Sequence, residues 1–164
     1  LVAQGLAVKR LDIVRGLVLS NTAVKIGTPW FWEETIAAVK AGGLAAIHDS
    51  AMEALFSPAF RAGADFDRWQ GVMRDAPVEG WLGCAAAIAG TDFYQTTATL
   101  TLPTLVIAAD RDGSTPPDLV RETADLIRGS RFHLIRGAGH FPMIEAPAPY
   151  AAALTSFLQG IGHV

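Results

Sequence analysis

Two strand-like runs, each emptying into a loop rich in small and titratable residues, constrain this chain more than anything else in it. Thr104-Leu105-Val106-Ile107-Ala108-Ala109 runs into Asp110-Arg111-Asp112-Gly113-Ser114-Thr115-Pro116. Phe132-His133-Leu134-Ile135-Arg136 runs into Gly137-Ala138-Gly139-His140-Phe141-Pro142. Each run reads as a strand. Between the two, Pro116-Pro117-Asp118 opens a helix that runs to Ile127, with Gly129 at its end. Strand, helix, strand and a last helix from Pro147 through Ala151 to Leu158, closed by Gly160, predict an α/β fold with a mostly parallel sheet.

The earlier half has a different texture. Leu1 to Lys9 reads as a helix, and Ile13 to Asn21 as a connector followed by a buried strand. From Gly27 to Leu100 no segment has strand periodicity. Helices are predicted over Thr35–Ala41, stopped by Gly42-Gly43, over Leu44–Phe56, broken by Ser57-Pro58, and over Phe66–Met73 and Gly80–Ala89. All four tryptophans, Trp30, Trp32, Trp69 and Trp81, fall in this stretch. A helical insertion rich in large aromatics between two sheet strands reads as a cap over a pocket. The expected division is therefore 1–26 sheet layer, 27–100 helical cap and 101–164 sheet layer.

An acid at one strand end and a histidine at the next are the second half of a Ser-Asp-His arrangement. A serine hydroxyl is a weak nucleophile until a base takes its proton, and the base needs an orienting acid. Asp112 lies three residues after the small Ala109 and four before Pro116, the spacing expected of the acid, whereas Asp110 leaves the strand one step early. Of four histidines, His48 falls within a cap helix, His133 inside a strand and His163 beside the C-terminus. Only His140 follows a strand in a loop of small residues, Ala138 and Gly139, that lets it approach an acid closely. Glu145 is expected to brace the histidine loop or cap the last helix. No Gly-x-Ser-x-Gly turn occurs in the sequence. The nucleophile is therefore expected before Leu1, and the flank of the first strand is expected to seek a partner.

With 51% apolar and 18% charged residues, the 164-residue chain can bury a core. A net charge of −3 argues against nucleic acid and against a polybasic membrane contact. No apolar run approaches the roughly 20 residues of a membrane span, and the first residues do not read as a secretory signal. The lone Cys84 precludes an intrachain disulfide, fits a reducing cytoplasm and is expected to be a buried structural thiol. The histidines and cysteine lack metal-ligand spacing, and no glycine-rich nucleotide motif occurs, so no cofactor or metal is expected.

The chain resembles the C-terminal part of the 3-oxoadipate enol-lactonases, α/β-hydrolases of aromatic-compound breakdown. The resemblance rests on Leu19-Ser20-Asn21-Thr22-Ala23 with Ile26-Gly27-Thr28-Pro29 and Trp32, on Phe56-Ser57-Pro58-Ala59-Phe60, on Glu79 to Ile88 and on the two loops above. It implies a serine hydrolase that opens a lactone or carboxylic ester, with His140 as general base and Asp112 as its orienting acid. It further implies a pocket lined by Trp32, Trp81, Phe141 and Met143. The oxyanion hole, two backbone N–H groups in that family, would precede Leu1 with the nucleophile, and the N-terminal half of the same fold would be the partner. Phe141-Pro142-Met143 is more apolar than the lactonase loop and is similar to esterase and perhydrolase relatives. Simple esters, acyl-homoserine lactones, peracids, C–C bond hydrolysis and an inactive binding module are the rival readings.

Overall fold

The computed structural model describes residues 1–163; Val164, the last residue of the 101–164 segment, lies outside the described residues. A three-stranded parallel sheet organises the chain, in the order β1 (Leu17–Ser20), β2 (Thr104–Ala109), β3 (Arg131–Ile135). β2 is central and buried along its whole length. Its side chains alternate between two apolar layers, as strand geometry requires. Val106 and Ala108 pack with Leu19, Val120 and Ala124 on one face. Leu105, Ile107 and Ala109 pack with Ile135, Ala138 and Phe157 on the other. Val106 and Ile107 are fully buried, worth about 1.5–3 kcal/mol each relative to exposure.

Helices supply the covering residues. α1 (Val2–Lys9) and α8 (Pro117–Leu126) cover the first face and α10 (Pro147–Gly160) the second. α8 turns Val120, Thr123 and Ala124 inward, the i, i+3, i+4 spacing of one helix stripe. Thr123 Oγ1 also accepts the backbone N–H of Val24 at 3.1 Å, fixing the chain just past β1. Buried Gln4 on α1 donates to the Ala23 carbonyl and accepts from Thr97 Oγ1. These bonds fasten the loop after β1, where Asn21 stands.

Between β1 and β2 the regular elements are all helical: α2 (Pro29–Gly42), a 3₁₀ turn (Leu44–Ala46), α3 (His48–Leu55), α4 (Pro58–Arg61), α5 (Phe66–Arg74), α6 (Val78–Ala89) and α7 (Tyr94–Thr97). α2 starts where Thr28 caps the Phe31 N–H and Pro29 fills the first turn. Three expectations are corrected here. The helix expected over Leu44–Phe56 is a turn plus α3, because Ile47 (φ −120°, ψ −1°) steps out of helical geometry between them. His48 accordingly begins α3 instead of lying within a longer helix. Cys84 is exposed, not buried: of the apolar run on α6, Ala85 is the residue turned inward. Among the described residues no helix is long and apolar enough to cross a membrane.

Candidate active site

The loop after β2 places Asp112 on the histidine loop that follows β3. Asp112 Oδ2 lies 2.9 Å from His140 Nδ1. The carboxylate divides its work between its two oxygens. Oδ1 accepts the backbone N–H groups of Ser114 (2.8 Å) and Thr115 (2.9 Å), which shapes the turn into α8. Oδ2 accepts the Asn21 amide (2.8 Å) and the Thr115 hydroxyl (2.8 Å) as well as facing His140. The Asp112 side chain is wholly buried, whereas the His140 side chain is 22% exposed. Burial pushes the Asp112 carboxyl up. The hydrogen bond and charge of His140, with the Asn21 amide and the Thr115 backbone, outweigh it and hold the group below the ordinary aspartate value. An ionised acid at Nδ1 fixes the ring tautomer and leaves Nε2 as the nitrogen able to take a proton.

The neighbouring acids have other duties. Asp110 Oδ1 accepts the Gly137 N–H at 2.6 Å, which joins the two loops without touching the histidine ring. Glu145 braces the histidine loop: it accepts Gly139 N–H at 3.0 Å and Ser57 N–H at 3.3 Å. Gly139 cannot be replaced freely, since a Cβ there would stand 2.6 Å from the Leu55 carbonyl oxygen and 2.7 Å from Glu145 Oε1. The ring of Phe141 meets His140 edge-on at 5.1 Å and continues into Phe56 at 5.4 Å.

A cavity of about 810 Å³ lies between the helical segment and the two loops. Trp32, Trp81 and Phe141, expected at a pocket, line it, and Trp69 and Phe56 join them. Trp32 is held by its indole N–H on the Ile26 carbonyl at 2.6 Å. Gly27 makes room for that fold-back, as a Cβ at its φ of +71° would stand 2.8 Å from the indole nitrogen. Met143 does not line the cavity; it sits on α9 (Pro142–Glu145), 40% exposed. Trp30, 67% exposed, is also absent from the wall. Among the described residues no cluster suits a metal ion.

Sequence reasoning did not single out Asn21 or Thr115 as partners of the acid. Asn21 is the one non-glycine residue with positive φ (+46°) among those described, and it is buried. An asparagine ending a strand before a turn was the available signal, because Asn tolerates that conformation better than most residues.

Known proteins share this fold. The profile of the alpha/beta hydrolase family matches residues 1–153. Over 147 residues the chain is 28% identical to 3-oxoadipate enol-lactonase 1 of Acinetobacter baylyi, covering 88% of this chain and 55% of that protein. The crystal structure of the enol-lactonase from Burkholderia xenovorans LB400 superposes with a TM-score of 0.89 at 25% identity, covering 96% of this chain and 61% of that one. A thermophilic esterase from Thermogutta terrifontis superposes with a TM-score of 0.89 at 27% identity, covering 99% and 62%. The chain thus spans between about half and two thirds of the length of these relatives.

Proposed function

The chain belongs to the alpha/beta hydrolase family, and from that premise we propose that it forms the cap and the acid–base half of a serine hydrolase for a lactone or carboxylic ester. The observation that carries this reading is the 2.9 Å contact between His140 Nδ1 and the buried Asp112 carboxylate. In this reading His140 Nε2 takes the proton of a serine hydroxyl as that oxygen attacks the acyl carbon. It returns the proton to the leaving oxygen, then repeats both roles with water. Asp112 holds the ring and stabilises the imidazolium. The serine and its oxyanion hole come from a polypeptide segment outside these residues, and without it the chain is inactive.

Similarity to two named enol-lactonases supports an enol ester as the bond cleaved, and the resemblance in the sequence extends this reading to the breakdown of aromatic compounds. Trp32 on the cavity wall matches the tryptophan by which the sequence resembles that group. The esterase neighbour and the apolar Phe141 support a simple carboxylic ester as the second reading. The single cysteine supports a cytoplasmic setting.

The test is fluorophosphonate labelling of the protein isolated from its source, beside its intact mass under denaturing conditions. The expected result is label on a serine in a heavier chain, or in a second chain that travels with this one. A single unlabelled species of 17.4 kDa would leave Asp112 and His140 without a nucleophile and would favour a binding module.

A further inference from the structure

Asp112 is held by more groups than its turn requires. Five donors converge on a carboxylate that offers about four lone-pair sites. Oδ1 takes the Ser114 and Thr115 N–H groups, and Oδ2 takes the Asn21 amide, the Thr115 hydroxyl and His140 Nδ1. The two backbone bonds already shape the turn, so the Asn21 amide and the Thr115 hydroxyl are additional. Both residues are buried and neither lines the cavity. Thr115 Oγ1 also stands 3.3 Å from His140 Nδ1, in contact with both members of the pair. Asn21 reaches the carboxylate from another strand, 91 residues away in sequence. Its backbone N–H donates to the Ile107 carbonyl at 2.8 Å, extending the ladder between β1 and β2. Its φ of +46° then turns the chain out of the strand. Ser20 Oγ donates to Asn21 Oδ1 at 3.2 Å, which sets the amide with its N–H₂ group toward Asp112. Strained backbone persists where its surroundings over-determine it, and it gathers at functional sites. Here the strained residue delivers a donor to the oxygen that faces the histidine.

Resting on the hydrolase reading above, we propose that Asn21, oriented by Ser20, and Thr115 are positioning residues that act on His140 through Asp112. While the ring is neutral, its Nδ1–H is an ordinary donor and holds a buried anion weakly. The Asn21 amide and the Thr115 hydroxyl hold Oδ2 whatever the charge on the ring. The carboxylate is therefore already aimed at Nδ1 when Nε2 takes the serine proton, and it need not reorganise at that moment. Neither positioning residue gains or loses a proton.

The experiment uses the full polypeptide with its serine-bearing segment and p-nitrophenyl acetate as the ester. Asn21→Gly accepts the positive φ and removes the amide, and Thr115→Val keeps the branched shape and removes the hydroxyl. Each is expected to lower kcat about 10-fold with KM within about twofold of wild type, because a misaimed carboxylate is felt only as the ring becomes charged. Thr115→Ser restores a hydroxyl and should recover most of the loss. In an Asp112→Asn background neither substitution should cost anything further, since the effect runs through the carboxylate. Wild-type kcat in Asn21→Gly and Thr115→Val, or the same loss repeated in the Asp112→Asn background, overturns the proposal. A Thr115→Ser protein as slow as Thr115→Val also overturns it. If Thr115→Val does not fold, Asn21→Gly alone decides. A wild type that takes the fluorophosphonate but ignores this ester is compared with the variants by labelling rate. Failure of the hydrolase reading looks different: the wild type neither cleaves the ester nor takes the label. The NMR resonance of the His140 Nδ1 proton still decides the positioning role in that case. It is expected at low field in the wild type and lost to exchange in both variants, and its persistence in both overturns the proposal.

Discussion

The backbone N–H of His140 donates to the carbonyl oxygen of Leu55 at 2.8 Å. The adjacent carbonyl, that of Ala54, accepts the Gly113 N–H at 2.9 Å. Both carbonyls lie in the last turn of α3 (His48–Leu55), where a helix leaves its oxygens without internal partners. The acid loop and the histidine loop thus hang from one helix end in the segment that walls the cavity. A shift of α3 would move Asp112, His140 and the wall together.

Gly139 is the tightest point of this suspension. Gly139→Ala puts a methyl group 2.6 Å from the Leu55 oxygen and 2.9 Å from the Ser57 nitrogen, both backbone atoms that cannot rotate away. A loss of about 1–3 kcal/mol in denaturant unfolding is expected, with hydrolysis reduced about 100-fold because a displaced base meets the nucleophile badly. Gly71→Ala, inside α5 (Phe66–Arg74) with nothing within 4 Å of the new methyl, should instead stabilise by about 0.5–1 kcal/mol.

Glu145 secures the same joint electrostatically, accepting one N–H from the histidine loop and one from Ser57. Glu145→Ala removes the acceptor for both, and about 1–3 kcal/mol of stability should go with it. Glu145→Gln retains one carbonyl oxygen and should recover part of the loss. The decisive comparison is kcat across the wild type, Gln and Ala proteins. If Ala matches the wild type in both kcat and unfolding midpoint, the brace is incidental.

The fold was legible wherever burial wrote a period into the sequence. β2 reads as a strand because all six of its residues are buried and apolar or hydroxyl-bearing. Asp112 was legible because it follows such a strand, and His140 because it stands in a loop of small residues after β3, whose burial is only partial. What escaped the sequence is what no local pattern encodes. The break at Ile47 interrupts a run that looks helical on both sides. Cys84 sits among apolar residues on a helix that turns Ala85 inward. Asn21 meets Asp112 only because β1 and β2 are neighbours in the sheet, although far apart in the chain.

Asn21 separates backbone strain from hydrogen bonding. Its φ of +46° costs a residue with a Cβ about 1–2 kcal/mol, and its amide donates to a buried carboxylate. Asn21→Gly should relieve the first and lose the second. Asn21→Ala should keep the strain and lose the amide. Thermal unfolding should therefore rank wild type above Gly and Gly above Ala, with Ala lower than Gly by about 1 kcal/mol. A Gly protein more stable than wild type would show that the amide contributes nothing net.

The acid itself gives the pH signature. Burial raises the Asp112 carboxyl, but the His140 hydrogen bond and charge, the Asn21 amide and the Thr115 backbone lower it further, so the folded value lies below the unfolded one. A depressed carboxylate stabilises the fold at every pH above its unfolded value. That contribution is lost as pH falls below the unfolded value, about 3.9 for aspartate, and through the folded one. Asp112→Asn cannot ionise and turns an amide N–H₂ toward groups that are already donors. Its deficit against wild type should be full at pH 7 and shrink steadily as the pH falls below about 4. Denaturant midpoints measured for both proteins between pH 3 and pH 7 read this directly, and parallel curves would mean that the carboxylate is not preferentially ionised in the fold. Activity should fall about 10⁴-fold in the same variant, since an amide cannot hold His140 in the tautomer that leaves Nε2 basic.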